Sequence, residues 1–357
     1  MRIERFDPHN ATDAEWAAFS QFENLVQREA WPDDPPRSVE YIRRLWQTPP
    51  QHVELHVWVA WDDASGQVLG RGSARIWHVD HNRHIAMGAL AVHPAYRRQG
   101  IGRQLLVRVA QAAKQAGRTE LMGWTDSKAP DGMGFAEQIG ATPGIPTSTN
   151  QLDLAELDRD LMRSWITRAQ ERAADYQLEM WEGTWPDADI EAMVRVLDAM
   201  NDAPRDEGWE DETYTAEQLR AFDAARRAQG TESWTAIVRH KTTGEIAGYS
   251  ELYWNPANPA VANQGDTGVL PAHRHRGLGR WLKAAMAVRL LAERPGVRFI
   301  RTGNADSNQP MLSINHAMGF RQYKAWTTWR LAVEAALSLG TDDERRMNEG
   351  ALAVPTR

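Results

Sequence analysis

The sequence predicts two similar α/β halves, each a mixed, mostly antiparallel sheet with helices on both faces. Three observations lead to this prediction. The chain has 357 residues, which is too long for one ordinary domain and suits two of about 150 to 180 residues each. Segments with strand and helix periodicity follow one another in the same order in both halves. A stretch rich in arginine and glycine also occurs twice, at a constant offset of 177 residues that relates Arg97 to Arg274.

The first copy of this stretch follows an apolar segment, Ile85 to Val92, and runs directly into an amphipathic pattern. A strand followed by a helix N-terminus directs several unpaired backbone N–H groups at one place, and the helix dipole adds partial positive charge there. Gly100 and Gly102 would let an anion approach closely, because neither carries a Cβ atom. The stretch therefore predicts a phosphate-binding loop at the start of a helix.

The second copy, residues 269–282, repeats the Val, Pro, Ala, Arg, Gly, Gly, Arg and Leu of the first copy in register. Eight matches in one register are more than chance would give. Two other phosphate-binding motifs do not fit. A dinucleotide fingerprint needs a third glycine where this chain has Leu105 and Leu282, and a nucleoside-triphosphate loop needs Gly-Lys-Ser/Thr, which neither copy contains.

The shared pattern V-x-P-x-x-R-x-x-G-x-G-R-x-L resembles the acetyl-coenzyme A motif of the GNAT-type N-acetyltransferase superfamily, here as a tandem pair that covers nearly the whole chain. The resemblance implies acetyl-coenzyme A as the acyl donor. The loop residues to which it assigns coenzyme A binding are Leu90, Ala91, Val92, Arg97, Arg98, Gln99, Gly100, Ile101, Gly102 and Arg103 in the first copy, and Val269, Leu270, Arg274, His275, Arg276, Gly277, Leu278, Gly279 and Arg280 in the second.

The domain organisation expected from the repeat is an N-terminal GNAT-like domain at residues 1–155, a linker helix at 156–175, a C-terminal GNAT-like domain at 176–335 and a polar tail at 336–357. The first domain should begin with two helices, the first capped by Thr12 or Asp13 and the second by Ser38, and the second domain should begin with a strand followed by two helices. Each domain should then continue with a hairpin and enter its loop, with the sheet splayed at the strand that leads into the loop.

Composition restricts the classes of function. The net charge of −7 argues against a nucleic-acid-binding protein, which needs a basic face. The absence of cysteine excludes disulfides, cysteine-ligated metals and a thiol nucleophile. The three histidines of residues 78–84 fit a solvated loop better than a metal site, so we expect no metal. Because the N-terminus lacks a signal-peptide core and no long apolar run is present, we expect a cytoplasmic monomer or homodimer without a membrane partner.

One segment of the second half strengthens the resemblance there. Residues 302–320 are similar to the strand-to-helix segment that lies beside the pantetheine arm in the family, which assigns Asn304 and Asn308 to cofactor binding. The alternative is that both asparagines only cap or terminate elements. Because the first half has only a weak counterpart, residues 135–141, we expect catalysis in the second half.

Acetylation of an amine needs a base, since a free primary amine is protonated at neutral pH. The candidates are Glu251, on the strand before the second loop's strand, and Asp266, just before Thr267, with surface strand charges as the alternative. In the family a tyrosine often protonates the leaving thiolate, but its position is Asn315 here. Either another group such as Tyr323 or Tyr253 serves as the acid, or the thiolate leaves unassisted.

Three functions remain open at the level of sequence. The first is an acetyl-coenzyme A-dependent N-acetyltransferase acting on a small-molecule amine. The second is a non-catalytic sensor of a coenzyme A thioester, which the missing tyrosine favours, and the third is an acyltransferase that uses a different acyl group. Acidic residues concentrated at 202–212 around Trp209 would attract a cationic amine such as an amino sugar, although a solvated acidic loop is equally consistent with the pattern.

Overall fold

The computed structural model describes residues 1–340, whose contacts form two compact units. Unit 1 consists of Met1–Gly144 together with the described chain from Thr327 onward, and unit 2 consists of Ile145–Trp326. The units are therefore not consecutive parts of the sequence, because each contains a segment from the far side of the repeat boundary. The expected tail from 336 is helical as far as residue 340, and its remainder lies outside the described residues.

Unit 1 has a sheet in the order β1-β2-β3-β4-β5 followed by the second part of β12. Its helices and strands are β1 (Arg2–Arg5), α1 (Asp13–Ala30), α2 (Val39–Gln47), β2 (Val53–Trp61), β3 (Val68–Trp77), β4 (Ile85–Val92), α3 (Ile101–Gln115), β5 (Glu120–Asp126), α4 (Asp131–Gln138) and the part of β12 (Arg321–Ala332) that begins at Thr327. The structure confirms the predicted caps, since Thr12 caps α1 and Ser38 caps α2. The short strand β1 was not predicted.

Unit 2 has a sheet in the order β12-β6-β11-β10-β9-β8-β7. Its helices and strands are β6 (Thr142–Asp153, from Ile145), α5 (Arg159–Arg172), β7 (Tyr176–Glu182), α6 (Ile190–Leu197), α7 (Ala216–Ala228), β8 (Glu232–His240), β9 (Ile246–Trp254), β10 (Val261–Val269), α8 (Leu278–Glu293), β11 (Phe299–Ala305) and α9 (Gln309–Met318). The helix expected as a linker, α5, packs on α8, because Met162 and Trp165 belong to the same buried cluster as Trp281. These findings confirm the predicted mixed, mostly antiparallel α/β architecture.

Both sheets open at the strand that leads into the loop. In unit 1, β4 is paired with the parallel strand β5 only over Ile85–Met87. In unit 2, β10 is paired with β11 only over Val261–Asn263. Beyond these residues, each loop strand keeps an antiparallel neighbour on one side and leaves its other edge free of sheet pairing, as the sequence predicted.

Candidate active site

The two loops have the same backbone conformation. Arg98 and His275 have φ values of 63° and 64°, and Gly100 and Gly277 have φ values of 82° and 81°. Each of these glycines occupies the N-cap of the following helix, α3 or α8, and neither helix has a side-chain cap. The first backbone N–H groups of both helices are therefore available to an anion such as the pyrophosphate of coenzyme A.

The two glycines of each loop have different roles. Gly100 and Gly277 supply the left-handed conformation, which a side chain would strain. A Cβ on Gly102 would lie 3.4 Å from Phe135, and one on Gly279 would lie 3.6 Å from Ile314. The second glycine of each loop therefore faces the next helix of its own unit, α4 or α9, rather than the space for a phosphate.

Arg97 and Arg274 close their loops instead of presenting free charges. The Nε atom of Arg97 donates to the carbonyl of Val92 at 3.1 Å, and its guanidinium pairs with Glu29 and Asp131. Burial lowers the pKa of Arg97, but its hydrogen bonds to these two carboxylates outweigh burial and raise it.

Arg274 repeats this arrangement in unit 2. Its Nε donates to Val269 at 2.9 Å and its Nη2 to Asp202 at 2.6 Å. Within the two loops, the exposed arginines without a carboxylate partner among the described residues are Arg98, Arg276 and Arg280.

The other predicted loop residues divide by burial. Ile101 and Leu278 are buried and anchor the first turn of α3 and α8 in the core. Gln99 is exposed and Arg103 is half-buried. The remaining predicted positions lie where the loop strands have separated from their parallel neighbours, and these are Leu90, Ala91, Val92, Val269 and Leu270.

The asparagines of unit 2 form a local network. The Oδ1 atom of Asn308 accepts from the backbone N–H of Met311 at 3.3 Å and caps α9. The Nδ2 atom of Asn315 donates to Oδ1 of Asn304 at 2.7 Å. Asn315 is fully buried. Asn308 therefore has the capping role that the sequence analysis left open, and an amide occupies the position of the expected tyrosine.

A β-bulge distinguishes β10 from its counterpart in unit 1. The register between β10 and β9 shifts between Gln264 and Thr267, so Gly265 and Asp266 lie in the bulge. The pairing of β4 with β3 is regular from Gly70 to Arg75. Bulges redirect side chains and are frequent beside active sites.

Glu251 lies on β9 opposite this bulge and is 6% exposed. Burial, followed by the negative charge of Asp266, raises the pKa of Glu251 from 4.5 to about 7. Arg226 and a hydrogen bond with Tyr253 act in the opposite direction. Glu251 is therefore a carboxyl group whose pKa lies in the range required of a general base near neutral pH.

Asp266 and Glu212 extend this acidic cluster. The side chain of Asp266 is exposed to solvent, but protein atoms lie close around it and desolvate its carboxyl group. A residue that lines a cleft has this environment. Burial and the nearby charge of Glu212 raise the pKa of Asp266. Glu212 accepts hydrogen bonds from Trp209 at 3.1 Å and from the hydroxyl of Tyr214 at 2.7 Å. Glu251 and Asp266, both predicted from sequence, are thus brought together.

Tyr323 lies elsewhere in unit 2. It is on β12, three strands from β10 in the sheet order, which corresponds to roughly 14 Å. The Tyr323 ring contacts the guanidinium of Arg301 at 4.9 Å. The structure therefore does not bring Tyr323 together with Glu251 and Asp266, whereas Tyr253, the other tyrosine considered, adjoins Glu251.

Sequence reasoning missed Tyr249 and Arg226 as members of the cleft. Tyr249, Glu251 and Tyr253 alternate along β9 and so share one face of the sheet. The Tyr249 hydroxyl is buried without a hydrogen-bond partner in the described part of the chain. Arg226, on α7, lies 5.0 Å from the ring of Tyr253. The period-two spacing was a signal that could have identified Tyr249, whereas Tyr253 was already a candidate acid.

Residues 14–141 and 193–320 match the pattern of the Acetyltransferase (GNAT) family. The chain belongs to this family. The two matched ranges contain the two loops, which confirms the tandem resemblance. The family uses acetyl-coenzyme A, and the protein is an acyltransferase of this superfamily.

Relatives and solved structures agree with this assignment. The chain is 25% identical over 260 residues to a mycothiol acetyltransferase of Salinispora arenicola, covering 68% of this chain and 71% of the relative. It is 25% identical over 269 residues to a mycothiol acetyltransferase of Mycobacterium marinum, covering 72% and 78%. Its fold resembles a tandem GNAT protein from the clavulanic acid biosynthesis pathway, with a TM-score of 0.75, 24% identity and coverage of 93% and 98%.

Two features of residues 1–340 concern metals and membranes. No group of three or more histidine, aspartate or glutamate side chains in this range could hold a metal ion. No helix within it is both long and apolar enough to cross a membrane.

Proposed function

We propose that this protein transfers the acetyl group of acetyl-coenzyme A to the amine of a cationic small molecule, and that the reaction takes place in unit 2. The observation that carries the proposal is the position of Glu251, a buried carboxyl group with a pKa of about 7, opposite the β10 bulge. The corresponding strand position in unit 1 is Ser73, which cannot act as a base.

Glu251 is proposed as the general base. The acceptor enters as an ammonium ion, and the carboxylate of Glu251 removes one proton, directly or through a water molecule, to give the nucleophilic amine. Tyr253 donates a hydrogen bond to Glu251 and positions it. Burial and the charge of Asp266 keep the pKa of Glu251 raised, so its carboxylate remains basic enough to accept a proton at neutral pH.

The backbone of β10 is proposed to bind the acyl group. Transfer forms an amide N–C bond and breaks the thioester C–S bond, and negative charge develops on the carbonyl oxygen as the bond forms. Backbone N–H groups along the unpaired edge of β10, after Asn263, are suited to stabilise this charge. The neutral amide of Asn315 already donates to Asn304. We therefore propose that the thiol leaves as a thiolate, which the pKa of a free thiol near 8.5 permits. The second proton of the former ammonium group, which is lost as the amide forms, passes to solvent water.

The acceptor is proposed to be cationic. Three carboxyl groups of unit 2 form a chain of neighbours, in which the charge of Glu212 acts on Asp266 and the charge of Asp266 acts on Glu251. Grouped carboxylates attract a positive charge and disfavour an anionic acceptor. The relatives named mycothiol acetyltransferase make an acceptor related to mycothiol the first compound class to examine.

The test is release of free thiol from acetyl-coenzyme A with a panel of small amines, including amino sugars and mycothiol-type acceptors. We expect turnover with at least one cationic amine, a loss of kcat of about 10²-fold or more in Glu251→Gln, and near-normal turnover in the matched variant Ser73→Ala. Binding of the thioester without turnover of any amine would instead indicate a sensor. Equal losses in both variants would contradict the assignment to unit 2.

A further inference from the structure

The strand registers define which residue of β3 in unit 1 is equivalent to which residue of β9 in unit 2. Val92 pairs with Gly70 in unit 1, and its repeat equivalent Val269 pairs with Gly248 in unit 2. Gly70 and Gly248 are therefore equivalent. Counting along the strands from this pair, Arg71 corresponds to Tyr249, Ser73 to Glu251 and Arg75 to Tyr253.

The unit 1 face is basic where the unit 2 face carries the proposed catalytic groups. Arg71 is 8% exposed, and its Nε donates to Glu23 of α1 at 2.9 Å. Arg75 lies four residues along β3, on the same face. It has no ion pair with any carboxylate among the described residues, and Glu23 acts on it only at longer range. The carboxylate of Glu23 is therefore shared by two largely buried guanidinium groups, through an ion pair with Arg71 and a longer-range attraction to Arg75.

Trp46 of α2 organises these arginines. Its ring lies 5.1 Å from the guanidinium carbon of Arg71 and 5.9 Å from that of Arg75. Stacking on an aromatic ring holds a guanidinium in place while leaving its N–H edge available to a ligand. Burial, followed by the charge of Arg71, lowers the pKa of Arg75. The site thus contains a preorganised positive charge that the described residues do not neutralise.

We propose that the cleft of unit 1 between α1, α2 and β3 binds the oxyanion group of a small molecule, a carboxylate or a phosphate, through Arg75 and Arg71. A partly buried, unpaired guanidinium is costly, and an oxyanion removes this cost with charge-assisted hydrogen bonds. This chemistry is opposite to that of the unit 2 cleft. Unit 1 therefore recognises an anion and does not deprotonate an amine.

The experiment is calorimetric titration of the full-length protein with inorganic phosphate and, separately, with acetate at low ionic strength. Arg75→Met should weaken binding of the preferred anion about tenfold or more, because a charge-assisted hydrogen bond is lost. Arg75→Lys should retain part of the affinity. The exposed Arg108→Met is the matched control and should bind like the wild type. The preferred probe identifies phosphate or carboxylate as the group recognised.

Melting temperatures distinguish a loss of anion binding from a folding defect in Arg75→Met. Without the anion, Arg75→Met should melt no lower than the wild type, since it removes an unpaired charge beside Arg71. Saturating anion should raise the melting temperature of the wild type more than that of the variant.

Two outcomes would overturn the proposal. One is phosphate binding that is abolished by Arg98→Ala and unaffected by Arg75→Met, which would place the anion at the coenzyme A loop. The other is the absence of binding of either probe. Neither outcome depends on whether unit 2 acetylates an amine.

Discussion

Burial makes the negative charge of Glu251 unfavourable, so the stability of the protein should depend on pH. The pKa of Glu251 is raised from 4.5 to about 7. Between these values the folded chain binds more protons than the unfolded chain, so the free energy of unfolding falls as the pH rises through this window. The penalty is complete above about pH 7, where Glu251 is charged in both states.

We therefore expect Glu251→Gln to be more stable than the wild type at pH 8, by up to about 3 kcal/mol, and equally stable near pH 4.5, the lower end of the window. Denaturant unfolding at both pH values measures the difference. A constant difference across the window would show that burial does not raise the pKa of this carboxyl group.

Lys283 is a second buried charge, in the interior of α8. It is 1% exposed, and burial lowers its pKa from 10.5 to about 7. Its ammonium nitrogen lies 5.7 Å from the ring centroid of Phe320. The equivalent residue of the repeat is the buried Leu106, so the fold accepts an apolar side chain here.

Lys283→Leu should therefore stabilise the protein by about 3 to 5 kcal/mol at pH 7 and below. This gain in stability should shrink as the pH rises from about 7 towards 10.5. In this window the unfolded wild-type chain binds a proton at Lys283 that the folded chain does not, so the free energy of unfolding of the wild type increases with pH. Melting temperatures across this range measure it. The exposed Lys114→Leu is the control, and a similar pH dependence in both variants would exclude burial of Lys283 as the cause.

At the scale of elements, the bulge of β10 places the cleft residues in close contact. A Cβ on Gly265 would lie 2.7 Å from the Tyr253 ring and 3.2 Å from Cβ of Glu251. Gly265→Ala should displace these side chains and lower kcat by about tenfold or more, while coenzyme A affinity stays unchanged. Gly296→Ala, where a Cβ meets nothing within 4 Å, is the control. Normal kcat in Gly265→Ala would show that the bulge does not position the base.

The two loops share a backbone conformation, so we expect two coenzyme A sites by calorimetry in the wild type. Gly100→Val and Gly277→Val should each leave one site, because a β-branched residue resists φ values of 82° and 81°. Gly244→Val places the same strain on a hairpin turn with φ 73° and should keep both sites. Loss of a site in Gly244→Val would indicate general unfolding, and a wild-type stoichiometry of one would identify one loop as structural.

Local signals in the sequence predicted the elements well, but not all of their neighbours. The caps at Thr12 and Ser38 and the repeated loop depend only on residues that are close together in the sequence, and the structure confirms them. The placement of β6 beside β11 depends on pairing between Thr147 and Ala305, far apart in sequence, which periodicity does not encode. The β10 bulge was missed because Gly265 alone does not reveal a register shift.

At the scale of the whole molecule, the repeat has kept one feature and changed another. Both units retain the loop geometry, from Gly100 and Gly277 to the arginine that closes each loop. On the equivalent strands the chemistry has diverged, with Arg71 and Arg75 in unit 1 and Tyr249 and Tyr253 in unit 2. The loop repeat was visible in the sequence. The opposite character of the two clefts became visible only through the strand registers, because Arg71, Ser73 and Arg75 share no residue identity with their equivalents in unit 2.

The dependence of kcat/KM on pH reports directly on whether Glu251 is the base for acetyl transfer. In the wild type, deprotonation of Glu251 should make kcat/KM rise with pH up to about 7, the pKa of this group. Above that pH, Glu251 should add no further increase in kcat/KM. Glu251→Gln should lower kcat/KM and remove this limb, leaving only the titration of the acceptor amine. An unchanged limb near pH 7 in Glu251→Gln would contradict the account.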